Sequence, residues 1–254
     1  HKTYIAGVVS YHKSEGIAAY SEDRIIKRVE NMIAAGADII NITGENNIPH
    51  GDKEEELKEL ALVISLIKRV RRLFPDIPLS IDTAKIMVAK ESLLSGVNII
   101  NKSFPLKFNE ELIHLIAQTK CPIVMMANSA NSNGISRPIV SISDVIKDIQ
   151  SNVSYAVGKG IAKDKIIVDP GIGFGRSDKD NFLILRQLSS FKHLNFPIMV
   201  GLSRRSFLGD ALKGKMKRTL ISAIAANTLA IINGANIIKV YTSEQAATMV
   251  NVIG

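Results

Sequence analysis

A run of small residues follows a single aspartate near the middle of the sequence. The stretch IIVDPGIGFGRSDKDN, residues 166–181, leads from an apolar segment to Asp169 and then into a loop of glycines that also carries Phe174. A carboxylate in this position can accept two parallel hydrogen bonds from a flat amidine-like edge, such as the guanidine portion of a pterin or a guanine. The glycines let backbone and ring approach closely, and Phe174 can lie against an aromatic ligand. The stretch therefore predicts a site for a flat, nitrogen-rich heterocycle.

A second stretch, GLSRRSFLGD at residues 201–210, supplies the opposite charge. A predicted strand ends at Ser203, and Arg204 and Arg205 follow before the next helix. This arrangement suits a carboxylate or a phosphate held at the end of a sheet. The alternative interpretation is a pair of surface arginines with no ligand.

The elements that position these residues alternate along the chain. Short segments rich in β-branched residues predict strands at residues 3–9, 38–43, 78–83, 98–102, 122–127, 165–169, 197–203 and 236–241. Amphipathic stretches predict helices at residues 21–35, 53–74, 85–95, 109–119, 142–159, 180–188 and 217–233. Strands that are apolar on both faces and separated by helices indicate parallel pairing with helical cover.

Eight such units predict a closed (β/α)8 TIM barrel, a single domain over residues 1–254. The length fits, because this fold typically takes about 250 residues. The alternative, an open doubly wound sheet, needs a glycine-rich turn after its first strand, and GVVSYHKSEG is a poor one.

Composition limits the class of protein. Polar residues interrupt every apolar stretch well short of the roughly 20 residues that a membrane span needs, so we expect no membrane partner and a cytoplasmic location. The single cysteine, Cys121, fits a reducing compartment. The net charge of +8 suits anionic small substrates, and basic clusters without interleaved aromatic residues argue against nucleic acid. The chain begins HKTYIAGVV without an initiator methionine, which suggests a domain cut from a longer chain or a processed or tagged chain.

In a β/α barrel the chemistry lies at the carboxyl ends of the strands. The polar and sulfur-containing residues there are Ser10, Asn41 with Glu45, Asp82, Asn101, Met126 with Asn128, Asp169, Ser203 with Arg204 and Arg205, and Lys239 with Tyr241. Among them, Asp82, Asn101 and Asp169 bring two aspartates and an asparagine into one predicted cup. An alternative role for Asp82 is to cap the next helix.

Four blocks together resemble the dihydropteroate synthases, the folate-pathway members of the pterin-binding barrel family. They are DPGIGFGR with a downstream Asn181, GLSRRSFLG, PLSIDT and GADIINITGENNIPHG, and they span essentially the whole chain in the family's order. The resemblance implies condensation of 6-hydroxymethyl-7,8-dihydropterin diphosphate with para-aminobenzoate, with release of pyrophosphate and help from Mg²⁺. It also implies competition by sulfonamides, a homodimer, and an upstream fusion to a pterin pyrophosphokinase.

The resemblance assigns roles residue by residue. Asp82, Asn101 and Asp169 match positions that hold the pterin ring, with Met125 near it. Gly201, Ser203 and Arg204 belong to the segment that receives the aminobenzoate carboxylate. Phe174 matches the aromatic residue of the glycine loop, and Arg205 stands where the family usually has a pterin-binding lysine.

The departures concentrate in the metal and diphosphate apparatus. Ser10 replaces an asparagine that helps bind the metal, and Lys239 and Tyr241 replace an arginine and a histidine that grip the diphosphate. A diphosphate needs positive charge more than one particular side chain, so Lys239 and Arg205 are predicted to be catalytic. Asp82 is the third predicted catalytic residue. Two alternatives stay open. One is a catalytically lapsed pterin-binding homologue that acts as a regulator or partner subunit. The other is transfer of a methyl group from methyltetrahydrofolate to a corrinoid.

Overall fold

The computed structural model describes residues 2–10, 21–43, 53–102, 109–127, 141–174, 176–203, 207–208 and 218–253. The strands are β1 (Tyr4–Ser10), β2 (Ile39–Thr43), β3 (Leu79–Asp82), β4 (Ile99–Lys102), β5 (Ile123–Met126), β6 (Ile166–Asp169), β7 (Met199–Val200) and β8 (Ile237–Val240). The helices are α1 (Glu22–Ala34), α2 (Lys53–Leu73), α3 (Ile86–Leu94), α4 (Glu110–Thr119), α5 (Ile142–Gly158), α6 (Asp178–Arg186), α7 (Arg218–Ile232) and α8 (Ser243–Ile253). Short 3-10 helices cover Lys163–Lys165 and Leu188–Leu194. All eight predicted strands are present, whereas α8 was not predicted.

The strands form one parallel sheet in the order β6-β5-β4-β3-β2-β1-β8-β7. A parallel bridge between Val168 and Ile198 joins the two outer strands, and the Val168 N–H donates to the Pro197 carbonyl at 2.9 Å. The sheet therefore closes on itself, which confirms the predicted (β/α)8 barrel and excludes the open doubly wound alternative. Within the described ranges, no helix is long and apolar enough to cross a membrane.

Strand alternation divides the apolar residues into two cores. The larger core lies between the outer face of the sheet and the helices. The smaller one contains only strand residues, which pack on each other inside the barrel: Ala6, Ile39, Ile99, Val124, Met199 and Ile237, with Ile167 beside them. This apolar plug fills the lower barrel, so the polar residues above it form the floor of a cup.

A repeated clasp fixes the foot of the barrel, where Gly36, Gly96 and Gly234, each with positive φ, end helices α1, α3 and α7. The residue two positions after each glycine has a side-chain oxygen that accepts a hydrogen bond from a backbone N–H. This N–H belongs to the neighbouring strand or to the residue directly before that strand. The pairs are Asp38 with Ile5, Asn98 with Leu79 and Asn236 with Ile198, each at 2.9 Å. These bonds fix the relative levels of adjacent strands, and hence the levels of the side chains at the opposite end.

Candidate active site at the carboxyl ends of the strands

Five of the predicted site residues line the cup above the apolar plug. They are Asp82, Asn101, Asp169, Ser203 and Lys239, all at most 8% exposed. Three of them come two positions after a plug residue on the same strand, so they point to the same interior side. The strand registers place Asp82 beside Asn101 and Asp169 beside Met126.

The Asp169 carboxylate makes a different contact with each oxygen. Oδ1 accepts a hydrogen bond from the Gly171 backbone N–H at 2.8 Å, and Oδ2 lies 3.6 Å from the Lys239 ammonium nitrogen. Both side chains are buried, at 5% and 7% exposure for Asp169 and Lys239 respectively. Because each carboxylate oxygen has two lone pairs, both retain capacity for a flat ligand edge.

Lys239 crosses the interior face of Gly201. A Cβ atom at Gly201 would lie 2.8 Å from Lys239 Cε, so a side chain at this position would displace the end of the lysine stem. The Ser203 hydroxyl donates to the Lys239 carbonyl at 3.4 Å, which links the ends of β7 and β8. Sequence similarity pointed to Lys239 as a diphosphate ligand, and the structure places its ammonium beside the carboxylate predicted for the heterocycle.

Asn101 takes part in an amide pair across the cup floor. Its Nδ2 donates to Asn41 Oδ1 at 3.5 Å, and Asn41 Nδ2 donates to Thr43 Oγ1 at 3.4 Å. Asn41, at 1% exposure, thus fixes the orientation of Asn101. The position of Asn41 at a strand end was the sequence signal for this contact.

Asp82 ends β3 and does not cap the following helix. The N-cap of α3 is Lys85, and Thr83 and Ala84 separate it from Asp82. The helix-cap interpretation of Asp82 is therefore wrong. Lys85 instead forms a buried ion pair with Glu59 of α2, which anchors this turn.

Met125 is not part of the cup. It pairs with Val168 and packs in the core between sheet and helices, whereas Met126 pairs with Asp169. A Cβ atom at Gly171 would lie 3.3 Å from Met126 Cγ, so Met126 contacts the loop after β6. The prediction for Met125 is wrong by one residue, and one residue in a strand reverses the direction of the side chain.

The loop after β6 is fixed by hydrogen bonds at both ends. Asn181, in the first turn of α6, accepts the Gly173 N–H with Oδ1 at 2.7 Å and donates from Nδ2 to the Arg176 carbonyl at 3.3 Å. Half-buried Phe174 lies between these two bonded residues. The position of Phe174 on this loop agrees with the sequence analysis.

The Arg176 guanidinium lies in a desolvated environment. Its Nε and Nη2 are buried and have no hydrogen-bond partner among the described residues. Burial lowers the pKa of Arg176, against the charges of Asp148, Asp180 and Asp169, which raise it. No role was predicted for Arg176 from the sequence.

The other predicted residues lie at the rim of the cup or outside the described residues. Ser10 ends β1 beside Thr43 and is half-buried. Tyr241 follows β8; its carbonyl accepts from Arg28 Nη2 at 3.1 Å, and it lines a cavity of about 230 Å³ together with Ser243. Arg204 and Arg205 lie outside the described residues.

Comparisons with known proteins agree with this geometry. The family model described as pterin binding enzyme matches residues 10–241. A dihydropteroate synthase of Clostridium beijerinckii is 30% identical, with 99% of this chain and 94% of the relative covered. A dihydropteroate synthase structure from Clostridium difficile, obtained with pteroic acid, has a TM-score of 0.84 at 31% identity and covers 99% of this chain and 97% of that one. A Yersinia pestis dihydropteroate synthase in a sulfonamide complex has a TM-score of 0.86 at 28% identity, with 99% and 93% covered.

Proposed function

The chain belongs to the pterin-binding enzyme family, and on that premise we propose that it is a dihydropteroate synthase. It joins 6-hydroxymethyl-7,8-dihydropterin diphosphate to para-aminobenzoate and yields 7,8-dihydropteroate and pyrophosphate. The observation that carries this proposal is the buried Asp169 carboxylate, which faces the cup beside Lys239 and above an apolar plug.

Asp169 binds the amidine edge of the pterin in this proposal. Two parallel N–H donors of the ring match the remaining lone pairs of the carboxylate, and charge-assisted pairs of this kind are the strong ones. Lys239 keeps the buried carboxylate electrically balanced while the ring enters. Asp82 and Asn101, on the neighbouring strands β3 and β4, supply further polar contacts to the heterocycle.

The chemical step exchanges one bond for another at the methylene carbon. The bond from this carbon to the diphosphate oxygen breaks, and its electron pair leaves with the diphosphate. The aminobenzoate nitrogen forms the new bond and then loses a proton. Positive charge near the departing oxygens lowers the barrier, and we assign this part to Arg205 and Lys239.

Ser203 and Arg204 hold the aminobenzoate carboxylate in this proposal, and Phe174 contacts the aromatic ring. Gly201 leaves room for the Lys239 side chain. A sulfonamide that resembles aminobenzoate would occupy the same place, so we also propose that the protein is a sulfonamide target.

The described side chains fit a resident Mg²⁺ ion poorly. In this part of the chain, no group of three His, Cys, Asp or Glu side chains comes together, and Ser10 offers one neutral oxygen. Mg²⁺ often binds through substrate phosphates, so we propose that the ion arrives with the diphosphate and takes at most Ser10 from this set.

The exposed apolar residues of the last two helices support the proposed homodimer. They are Ile221, Leu229 and Ile232 on α7 and Val250 and Val252 on α8, each at least 39% exposed. Apolar side chains exposed on adjacent helices mark an interaction surface, and those of α2 and α3 offer a second one of this kind. The cytoplasmic location and an upstream pterin pyrophosphokinase remain proposals from the sequence.

A direct assay tests the function. The purified chain is incubated with dihydropterin diphosphate and para-aminobenzoate, with and without Mg²⁺, and dihydropteroate and pyrophosphate are both followed. We expect equal amounts of the two products, and their loss in Asp169→Asn. Pterin binding by calorimetry without any turnover would overturn the synthase assignment in favour of a pterin-binding regulator.

A further inference from the structure

The loop after β6 carries the aromatic residue of the site, and its position depends on a side chain from the following helix. We propose that Asn181 is a positioning residue that holds Phe174 ready for the aminobenzoate ring, an inference that rests on the proposed function. Asn181 touches no substrate in this role and acts through the backbone of Gly173 and Arg176.

Asn181 is suited to this role because it uses both halves of its amide. The side chain is 2% exposed, and it accepts from the Gly173 N–H at 2.7 Å while it donates to the Arg176 carbonyl at 3.3 Å. An aspartate in its place would keep the acceptor and lose the donor, and an alanine would lose both. The two bonds therefore require an amide.

The geometry restricts Phe174 from both sides. Gly173 precedes it and Arg176 lies two residues after it, and both are tied to Asn181. The Phe174 N–H also donates to the Gly171 carbonyl at 3.4 Å, and the Gly171 N–H donates to Asp169 Oδ1 at 2.8 Å. A loop held in this way has lost most of its freedom before a ligand arrives, so the ligand does not have to order it.

The loop also connects two subsites. Asp169 anchors its beginning and faces the heterocycle, whereas Asn181 anchors the part around Phe174. Loss of Asn181 leaves the Asp169 contacts with Gly171 and Lys239 in place. The effect should therefore fall on the aromatic substrate and spare the pterin.

The central variant is Asn181→Ala. We expect the KM for para-aminobenzoate to rise about tenfold, as fits the loss of one or two hydrogen bonds that together stabilise by about 1.4 kcal/mol. The KM for dihydropterin diphosphate should change less than about twofold by the same reasoning. Asn181→Asp retains the Gly173 contact and should give an intermediate KM for para-aminobenzoate.

Asn227→Ala is the matched control. Asn227 is a buried asparagine of α7, 0% exposed, and its side-chain atoms make no hydrogen bond in the part of the chain that the structure describes. Its loss can change the stability of the barrel, but both KM values should change by the same small factor. A KM split in this control as well would assign the Asn181 effect to general loosening and overturn the proposal.

Hydrogen–deuterium exchange gives a readout that needs no catalysis. The amides of residues 171–174 and of Arg176 should exchange faster in Asn181→Ala than in the unchanged chain, while strands β1 to β4 stay the same. Unchanged exchange in this loop, or equal increases in both KM values, would refute the positioning role. If the unchanged chain has no synthase activity, the proposed function fails, and the exchange experiment still decides whether Asn181 orders the loop.

Discussion

Replacement of Lys239 by methionine tests the electrostatics of the cup most directly. Methionine keeps most of the length and apolar volume of the lysine stem and removes the ammonium. Asp169 would then remain buried without its ion-pair partner, with the Gly171 N–H and the charge of Arg176 as its remaining compensation. We therefore expect Lys239→Met to destabilise the fold and to weaken pterin binding together.

The magnitude follows from the distance between the charges. At the 3.6 Å that separates Lys239 Nζ from Asp169 Oδ2, the attraction is about 4 to 5 kcal/mol for an effective dielectric constant of about 20. The removal of one partner from a buried pair typically costs about 3 to 5 kcal/mol. The contact is longer than a hydrogen bond and Asp169 keeps Gly171, so we expect a loss of about 3 kcal/mol in the free energy of unfolding.

Urea unfolding followed by circular dichroism measures this loss, because the chain has no tryptophan for fluorescence. Lys239→Met with Asp169→Asn should be less destabilised than the sum of the single variants by about 2 kcal/mol, since the pair is in contact. Lys90→Met, at an exposed position of α3, serves as the control and should stay within about 0.5 kcal/mol. Additive single variants, or an unchanged Lys239→Met, would refute the ion pair.

Three further outcomes are expected. Gly201→Ala should displace Lys239, because the new Cβ would lie 2.8 Å from Lys239 Cε. We expect pterin affinity, measured by calorimetry, to fall about tenfold or more, and an unaltered affinity would show that the lysine stem passes elsewhere. Asn98→Ala should lower the free energy of unfolding by about 1 to 3 kcal/mol in urea, because the buried Leu79 N–H loses its acceptor, whereas the exposed Lys90→Met should not. Burial raises the pKa of Cys121 from its ordinary 9.0 to about 11. The unfolded chain therefore loses this proton first, so the thiol's contribution to stability is complete below pH 9 and disappears as the pH rises towards 11. Cys121→Ala should flatten this alkaline decline, and Cys121 should resist thiol reagents at pH 8 unless the chain unfolds.

Sequence patterns predicted the barrel well because most strands are apolar on both faces and several helices end at a glycine. The same patterns placed Asp82, Asn101 and Asp169 at strand ends, where periodicity fixes the direction of a short side chain. The error at Met125 shows the limit, because two adjacent methionines differ only in parity. The position of the Lys239 ammonium could not be predicted from the sequence, for another reason. A lysine stem has four rotatable bonds, and only the space above Gly201 decides where it ends.

The clasps at the foot of the barrel also bear on how such a sequence can diverge. They bind strand to strand at the end away from the cup, and the apolar plug separates the two ends. Substitutions among the rim side chains that we assign to the diphosphate therefore leave the register of the sheet untouched. A lineage can exchange its rim residues one at a time while the barrel keeps folding. Substrate preference or drug response can therefore change without any intermediate sequence that fails to fold.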